Sequence, residues 1–259
     1  MKTKTKSIEE YYDNHPSMIS SPFGGIEAPL SPENAYLSEI LTKLNIDLRN
    51  KKVLDIGCGG GWFAYYCKDN VKTYFGLDVS NTSVKLSKKI IPNIIQADVQ
   101  ALPIKSNLFD YVFCIDSFEH IPHQDLAAKE LYRVLKKECK VFLSIPNYSN
   151  VSGVVKKIEE SLGFYKKDTW APFDHWTPQV LERFMTPRRV KKIFAKSGFN
   201  KFTMIGGQRD LLDGIFPWIN HKLMPGSHVL RRIFAYIEKP LNRLFPWLSL
   251  HNFWLIEKQ

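Results

Sequence analysis

The sequence contains few cysteines, no long apolar run and no internal repeat. Its four cysteines, at positions 58, 67, 114 and 139, form no Cys-x-x-Cys pair and have no histidine at metal-ligand spacing. This pattern argues against a zinc site and a disulfide framework, so we expect reduced thiols and no bound metal. No stretch of about 18 residues, the length of a membrane-spanning helix, is continuously apolar. The first residues, MKTKTKSIEEYYD, have charge but no apolar core, so we expect a cytoplasmic protein without a signal peptide.

The full chain of 259 residues has a net charge of +10, and this positive charge is concentrated in its C-terminal part. Residues 1–150 hold 18 basic and 17 acidic side chains, whereas residues 151–259 hold 18 basic and 9 acidic ones. An anionic partner would therefore meet the C-terminal part, and a solvated basic surface is the alternative interpretation.

From Lys52 onward, short apolar runs alternate with amphipathic stretches, whereas residues 1–30 show little periodicity. The apolar runs predict strands at 52–57, 72–78, 94–97, 111–116, 140–145, 201–205 and 252–257. Helical spacing and capping residues predict a helix that begins at Ser31-Pro32-Glu33, and further helices at about 61–69, 81–90, 124–136 and 187–197. This alternation predicts an α/β fold with a mostly parallel sheet and helices on both faces.

The segment VLDIGCGGG, residues 53–61, places four glycines directly after a predicted strand. Glycine allows the backbone to turn tightly and to approach a ligand closely. Such a turn lies at the carboxyl edge of a parallel sheet, where ligands of these folds bind. The next two predicted strands end in Asp78 and Asp98, whose carboxylates can accept hydrogen bonds from ribose hydroxyls and from an adenine amino group. The glycine spacing is G-x-G-x-G, which disfavours the dinucleotide fingerprint of NAD enzymes.

Five segments together resemble the class I S-adenosylmethionine-dependent methyltransferases, and within them the small-molecule branch that includes ubiquinone-type O-methyltransferases and related sugar and lipid enzymes. They are VLDIGCGGGWFA (53–64), FGLDVS (75–80), QADVQALP (96–103), FDYVFCIDSFEHIP (109–122) and ELYRVLKKECKVFLSIPN (130–147). The resemblance implies a Rossmann-like seven-stranded sheet whose last strand is antiparallel. It also implies one methyltransferase domain over residues 1–259.

The resemblance implies S-adenosylmethionine as the cofactor and S-adenosylhomocysteine as its product. Asp55 and the backbone at Gly57, Cys58 and Gly59 would hold the methionine part, with Gly61 completing the turn. Asp78 would accept from the ribose hydroxyls, with Val79 beside it. Asp98 and the Val99 backbone would meet the adenine, and Ile115 or Asp116 would line the methionyl end. Residues 1–50 would form an N-terminal lid region, in which Tyr11 and Tyr12 close over the cofactor.

The catalytic candidates lie just beyond the fourth strand, in Asp116-Ser117-Phe118-Glu119-His120. His120 is the first candidate for a general base because imidazole titrates near neutral pH. Asp116 or Glu119 would orient it or accept from the amino group of the cofactor. The alternative is that His120 caps the next helix or packs against the cofactor. His123 and His175 are the other candidates for the base.

Two insertions, residues 148–185 and 208–250, lie on the expected substrate side and are long enough to carry helices of their own. Within the second, apolar residues at helical spacing over 226–245 predict a basic amphipathic helix, which Pro240 should kink or break near residue 239. This region either forms a lid over the substrate pocket or, over about 216–247, rests on an anionic membrane surface as a peripheral contact.

These features predict O-methylation of a small-molecule, sugar or lipid-linked acceptor. A nucleic-acid substrate is disfavoured because the tip of the fourth strand has IDSFEH in place of the Asn/Asp-Pro-Pro-aromatic motif of base N-methyltransferases, and a Pro-Cys nucleophile is missing. Two alternatives stay open: a catalytically silent, membrane-associated protein that binds S-adenosylmethionine, and a methyltransferase that acts on RNA through its basic C-terminal part. The acceptor and the oligomeric state stay open as well.

Overall fold

The computed structural model describes residues 2–16, 19, 32–67, 69–169, 179–207, 215, 236–238 and 240–259. Its strands are β1 (Lys52–Ile56), β2 (Thr73–Asp78), β3 (Asn93–Gln96), β4 (Phe109–Ile115), β5 (Leu135–Pro146), β6 (Lys201–Gly206) and β7 (His251–Glu257). Its α-helices are α1 (Lys2–Asn14), α2 (Pro32–Lys43), α3 (Trp62–Cys67), α4 (Asn81–Ser87), α5 (Gln124–Val134), α6 (Val151–Ser161) and α7 (Pro187–Lys196). Short 3-10 turns cover Val99–Ala101, Phe118–His120 and Pro246–Leu248.

The seven strands form one sheet in the order β3-β2-β1-β4-β5-β7-β6. The first five strands are parallel, and β7 runs antiparallel to both β5 and β6. The predicted Rossmann-like sheet with an antiparallel last strand is therefore confirmed. The strand order reverses between β1 and β4, and in open α/β sheets the crevice at this point is where ligands bind.

Apolar side chains cover both faces of the sheet, because a buried parallel strand must be apolar on each side. In β4, Val112 and Cys114 join the core under α5 and α7, whereas Tyr111 and Phe113 join the core under α2 and α3. The strict alternation along β4 follows from the period of two of an extended chain. Because both faces of the sheet are covered, the places left open to a ligand are the ends of the strands.

One helix was not predicted from the sequence: residues 2–14 form α1, although residues 1–30 show little periodicity. The insertion at 148–185, which was expected to be helical, contains α6. Among the side chains of α1 that the structure describes, Ile8 is the only apolar one that is buried. Instead, Asp13 holds α1 in place, because its carboxylate accepts hydrogen bonds from the Ser80 hydroxyl at 2.6 Å and from the Thr82 amide at 2.9 Å. A helix held by such polar contacts leaves little apolar signal in the sequence.

The second insertion is described in part. Residues 236–238 and 240–244 are helical, so the helix prediction agrees with the structure there. The kink expected near residue 239 and most of the predicted helix lie outside the described residues. No helix in the part of the chain that the structure covers is long and apolar enough to cross a membrane.

Two tryptophans near the C-terminus, one buried and one exposed, can be used to test the assignment of the core. Trp254 on β7 is fully buried between the neighbouring strands, whereas Trp247 is 45% exposed. We expect Trp254→Ala to lower the free energy of unfolding by about 3–5 kcal/mol, because it leaves a large cavity. Trp247→Ala, the matched control, should change it by about 0.5 kcal/mol. Urea unfolding monitored by far-UV circular dichroism measures both, and equal losses would contradict the assignment of Trp254 to the core.

Candidate functional site

A cavity of about 370 Å³ lies at the carboxyl ends of β1, β2 and β4, at the point where the strand order reverses. Its volume is within the usual range for small-molecule sites. The residues that line it come from the strand ends and from α1: Thr5, Ile8, Tyr12, Ile19, Ile56, Gly57, Cys58, Gly59, Trp62, Leu77, Asp78, Val79, Ser83, Ala97, Asp98, Val99, Gln100, Ile115, Asp116, Ser117, His120, Ile121, Pro122 and Gln179.

The glycine turn after β1 forms the floor of this cavity. Gly57 has φ of +68° and Gly59 has φ of +52°, in the left-handed region that favours glycine. The Gly57 amide donates to the Leu77 carbonyl at 2.7 Å, which ties the turn to the end of β2. A Cβ at Gly57 would clash with the Ser117 side chain at the end of β4. A side chain is therefore excluded at position 57, because Ser117, just after β4, approaches the Gly57 backbone closely.

Asp78 presents a buried carboxylate at the end of β2. One oxygen accepts from the Gly59 amide and the other from the Ser80 amide, both at 2.9 Å. Burial raises the pKa of Asp78 to about 6, and these amide hydrogen bonds oppose that rise. Each carboxylate oxygen has a second lone pair, so Asp78 can accept further hydrogen bonds from a ligand.

Asp98, after β3, is held by its neighbours in the same cavity. The Gln100 side chain donates to its carboxylate at 2.8 Å, and the Thr5 hydroxyl from α1 donates at 3.1 Å. The buried side chain of Val99 lies beside it. This part of the cavity therefore combines a fixed hydrogen-bond acceptor with an apolar wall, as a flat polar ring requires.

α1 covers the cavity from one side. Tyr12 lines the cavity, and its hydroxyl donates to the Gln179 side chain at 2.5 Å. Burial, with the charge of Asp78 next in effect, raises the pKa of Tyr12 well above its usual value. Tyr11 lies outside the cavity and stacks on His15 at 4.5 Å between ring centres. Of the two tyrosines predicted to close over the cavity, the structure brings only Tyr12 to it.

Asp116, just after β4, lies at the mouth of the cavity with φ of +47°, a conformation that non-glycine residues seldom adopt. Its carboxylate accepts from the Ser144 hydroxyl at 2.7 Å and pairs with His251 at 2.8 Å. Partial desolvation in the cavity raises the pKa of Asp116, whose side chain is 54% exposed, but the charge and hydrogen bond of His251 outweigh this and hold that pKa below its usual value. Asp116 is therefore a fixed anion at the cavity.

His120 lines the cavity and is the last residue of the 3-10 turn that follows β4. Its Nδ1 lies 2.6 Å from the Leu181 carbonyl and 3.4 Å from a Glu182 carboxylate oxygen. A carbonyl only accepts hydrogen bonds, so Nδ1 donates to it, and Nε2 is the nitrogen that can accept a proton. The imidazole is thus oriented through Nδ1.

Glu119 is buried beside His120 and does not line the cavity. One of its carboxylate oxygens lies 3.6 Å from His120 Nε2, and the other has no hydrogen-bond partner among the residues that the structure describes. Burial first, and then the charges of Glu182 and Asp116, raise the pKa of Glu119 well above its usual value. Glu182 in turn accepts from the Tyr148 hydroxyl at 2.6 Å. The ligand atoms of Glu119, His120 and Glu182 lie within 4.8 Å of one another, so these three could hold a cation.

Most of the predicted site residues come together at this cavity. Its lining includes Gly57, Cys58, Gly59, Asp78, Val79, Asp98, Val99, Ile115, Asp116 and His120. Asp55 and Gly61 do not line it. Asp55 is buried and accepts a hydrogen bond from the Tyr74 hydroxyl at 2.6 Å, whereas a Cβ at Gly61 would contact Ser87 on α4.

Of the other two predicted histidines, His123 precedes α5 and does not line the cavity, and His175 lies outside the described residues. Sequence analysis missed the residues that hold His120 and Asp116 in place, namely Ser144, Tyr148, Glu182 and His251. These come from distant segments, so no local motif could have identified them.

The predicted membrane contact at 216–247 lies largely outside the described residues. Within its described part, Tyr236, Leu244 and Trp247 have large apolar side chains that are exposed. Membrane association stays a prediction.

The chain is similar to known methyltransferases. Residues 54–143 match the family described as a methyltransferase domain. Over 132 residues the chain is 31% identical to the ubiquinone biosynthesis O-methyltransferase of Idiomarina loihiensis, covering 47% of this chain and 54% of that protein. Over 198 residues it is 25% identical to the mitochondrial ubiquinone biosynthesis O-methyltransferase of Mus musculus, covering 71% of this chain and 51% of that protein. The chain thus spans about half the length of the curated relatives it matches.

A solved structure with the same fold is phosphoethanolamine N-methyltransferase 2 of Haemonchus contortus, which contains phosphomonomethylethanolamine and S-adenosylhomocysteine. The two align with a TM-score of 0.57 at 18% identity, covering 99% of this chain and 58% of that one.

The buried carboxyl group of Asp55 makes stability depend on pH. Burial raises its pKa to about 7, against about 3.9 in an unfolded chain. The folded state therefore binds the extra proton between these values, and the stability that this proton contributes is lost as the pH rises through about 7. Asp55→Asn does not titrate, so we expect its stability relative to the wild type to rise by about 2–3 kcal/mol between pH 5 and pH 8.

Urea unfolding at pH 5 and pH 8 measures this difference. Asp110→Asn is the control. Burial raises the pKa of Asp110, but its ion pair with Lys136 at 2.6 Å and its hydrogen bond from the Lys52 amide outweigh burial, so the pKa is lowered. The stability of this variant relative to the wild type should not change over the same range. A constant difference for Asp55→Asn would contradict the raised pKa.

Proposed function

We propose that the chain is a class I S-adenosylmethionine-dependent methyltransferase, which binds S-adenosylmethionine in the cavity and methylates a hydroxyl group of a small-molecule, sugar or lipid-linked acceptor. The observation that carries this proposal is the pair of carboxylates, Asp78 and Asp98, that line the cavity together with the glycine turn. The named relatives that methylate oxygen support the choice of a hydroxyl acceptor.

The residues present fit this cofactor. Asp78 has two unused acceptor positions after its two amide hydrogen bonds, which suits the two hydroxyls of a ribose. Asp98 and the side chain of Val99 would meet the adenine ring. Asp116, a fixed anion, would accept from the amino group at the methionyl end. The positive φ at Gly57 and Gly59 lets the backbone approach without side chains.

When bound, S-adenosylmethionine supplies a methyl group on a positively charged sulfur, which a nucleophile can attack in line. The chain contributes mainly by position, since holding two reactants at attack distance can supply about 7–11 kcal/mol. Tyr12 and Ile8 of α1 exclude water from one side, because they cover the cavity.

His120 would act as the general base. Its Nδ1 proton is held by the Leu181 carbonyl, so Nε2 is the atom that accepts the proton of the acceptor hydroxyl. Glu182, fixed by Tyr148, lies at 3.4 Å from Nδ1 and would stabilise the imidazolium that forms. Glu119, whose raised pKa favours the neutral acid, lies 3.6 Å from Nε2 and would add no charge there.

The ribose acceptor is tested by Asp78→Asn. This variant removes the charge while keeping the shape, and hydrogen bonds to a charged group contribute about 1.5–3 kcal/mol. We expect the dissociation constant for S-adenosylhomocysteine to rise about 10–100-fold in isothermal titration calorimetry. Asp110→Asn, on the opposite edge of the sheet, should bind as the wild type does. Unchanged affinity of Asp78→Asn, or no binding by the wild type, would refute the proposed cofactor site.

The base is tested by His120→Gln, in assays that follow S-adenosylhomocysteine release with phenol, sugar and lipid-linked hydroxyl acceptors. For any acceptor that the wild type converts, we expect kcat to fall by about 10²–10⁴-fold, because the proton acceptor is removed. Affinity for S-adenosylhomocysteine should change little. His123→Gln is the control, since His123 lies outside the cavity lining. Turnover by His120→Gln at the wild-type rate would exclude His120 as the base.

A further inference from the structure

A second recess lies beside the cavity, between the beginnings of α5 and α7. It is lined by Pro122, Gln124, Asp125, Arg183, Thr186, Arg188, Arg189, Lys192 and Ile193, and we call it the arginine pocket. Four of these residues are basic and one is acidic. The proposed methyl transfer uses none of the four basic residues.

The basic side chains of the arginine pocket are poorly balanced by acids. Arg183 pairs with Asp168 at 3.1 Å. Arg189 donates to two neutral acceptors, the Gln124 side-chain oxygen at 3.1 Å and the Phe184 carbonyl at 3.4 Å. Arg188 and Lys192 form no ion pair with any residue in the described part of the chain. Three cations therefore face one lining carboxylate, Asp125.

Two guanidinium groups, those of Arg183 and Arg189, line this pocket. Arg183 donates to the Pro122 carbonyl at 3.0 Å, while its Nε is buried with no partner among the described residues. Arg189 is half-buried, and burial followed by the charge of Arg183 lowers its pKa. Holding like charges together in a partly buried recess is costly, and a bound oxyanion would remove that cost.

The rest of α7 shows that this arrangement is not simply a basic helix surface. Lys191 and Lys196 are on the same helix and are exposed, but they do not line the pocket. Arg188 and Lys192 are four positions apart and share the face that meets α5. The charge is therefore directed toward the recess as well as toward solvent.

We propose that the arginine pocket binds a phosphoryl or diphosphoryl group, carried by a soluble molecule or by a lipid headgroup. A planar guanidinium group can donate two hydrogen bonds to the oxygens of one phosphoryl group, and the first turns of α5 and α7 add favourable dipoles. Pro122 lines both the pocket and the cavity, and residues 181–183 contact His120 on one side and the pocket on the other. A group held here lies next to the position of the acceptor. The further step, that it anchors the acceptor, rests on the proposed function, whereas the binding itself does not.

Calorimetry with inorganic pyrophosphate at fixed ionic strength tests the proposal on the full chain. We compare two double variants that each remove two exposed positive charges from α7: R188Q/K192Q, which line the pocket, and K191Q/K196Q, which do not. We expect the first pair to weaken pyrophosphate binding about tenfold or more, since two charged hydrogen bonds are lost. The second pair should weaken it by less than about twofold. Equal effects of the two pairs, or no binding by the wild type at millimolar pyrophosphate, would overturn the proposal.

Vesicles distinguish the two sources of the phosphoryl group. If the group belongs to a lipid, phosphatidylcholine vesicles with added phosphatidic acid should retain the wild type and K191Q/K196Q but release R188Q/K192Q. If it belongs to a soluble molecule, only pyrophosphate binding should respond to R188Q/K192Q. Affinity for S-adenosylhomocysteine should stay unchanged in all variants, so failure of the cofactor proposal and failure of this one give different results.

Discussion

Hydrogen bonds between the turn after β1 and the end of β2 determine the form of the whole site. The amides of Gly57 and Cys58 both donate to the Leu77 carbonyl, and the Gly59 amide donates to the Asp78 carboxylate. Each of these bonds joins the turn after β1 to the end of β2, at the point where the hydrogen bonding between the two parallel strands stops. The turn therefore folds back over the sheet. With the turn in this position, Ser117 from β4 can pack against Gly57, and three strand ends meet around one cavity. The conformation is available only because the turn can adopt positive φ.

The same bonds also support the cover of the cavity. Asp78 accepts from the Ser80 amide, and Ser80 begins α4 and donates its hydroxyl to Asp13 of α1. The N-terminal helix is therefore attached to the strand end that carries the proposed ribose acceptor. Because α1 has little buried apolar surface, its position depends on this short polar chain of contacts. Any change that moves Asp78 should move the cover as well.

The sequence predicted the part of the site that is local in the chain. Strands such as β4 are recognisable because they are buried on both faces and read as continuous apolar runs. Asp78 and Asp98 follow their strands directly, so their position at the carboxyl edge follows from the topology. Asp55 shows the limit of this reasoning: it lies within β1, and the alternation of the strand turns its side chain to Tyr74, away from the cavity.

What the sequence did not predict is built from distant segments. α1 escaped detection because polar contacts, which have no periodicity, hold it in place. His251 reaches Asp116 across the β5–β7 pairing, in which His251 lies opposite Pro146. Glu182 and Leu181 reach His120 from the insertion after β5. A pattern within one segment carries no information about such pairs, because their closeness depends on the antiparallel last strand and on the path of the insertion.

The local and the distant segments form two different sides of the cavity, one proposed to bind the cofactor and one proposed to bind the acceptor. The cofactor side consists of consecutive strand ends, whose geometry is fixed by the sheet itself. The side proposed to face the acceptor consists of the segment 179–185 and the C-terminal strand, which contact His120 and Asp116. Changes in those segments can alter the acceptor without disturbing the glycine turn. The segment 181–183 is central to this side, since one short stretch orients His120 through Leu181 and Glu182 and places Arg183 in the arginine pocket. The proposed base and the neighbouring recess are therefore connected by one short stretch of three residues.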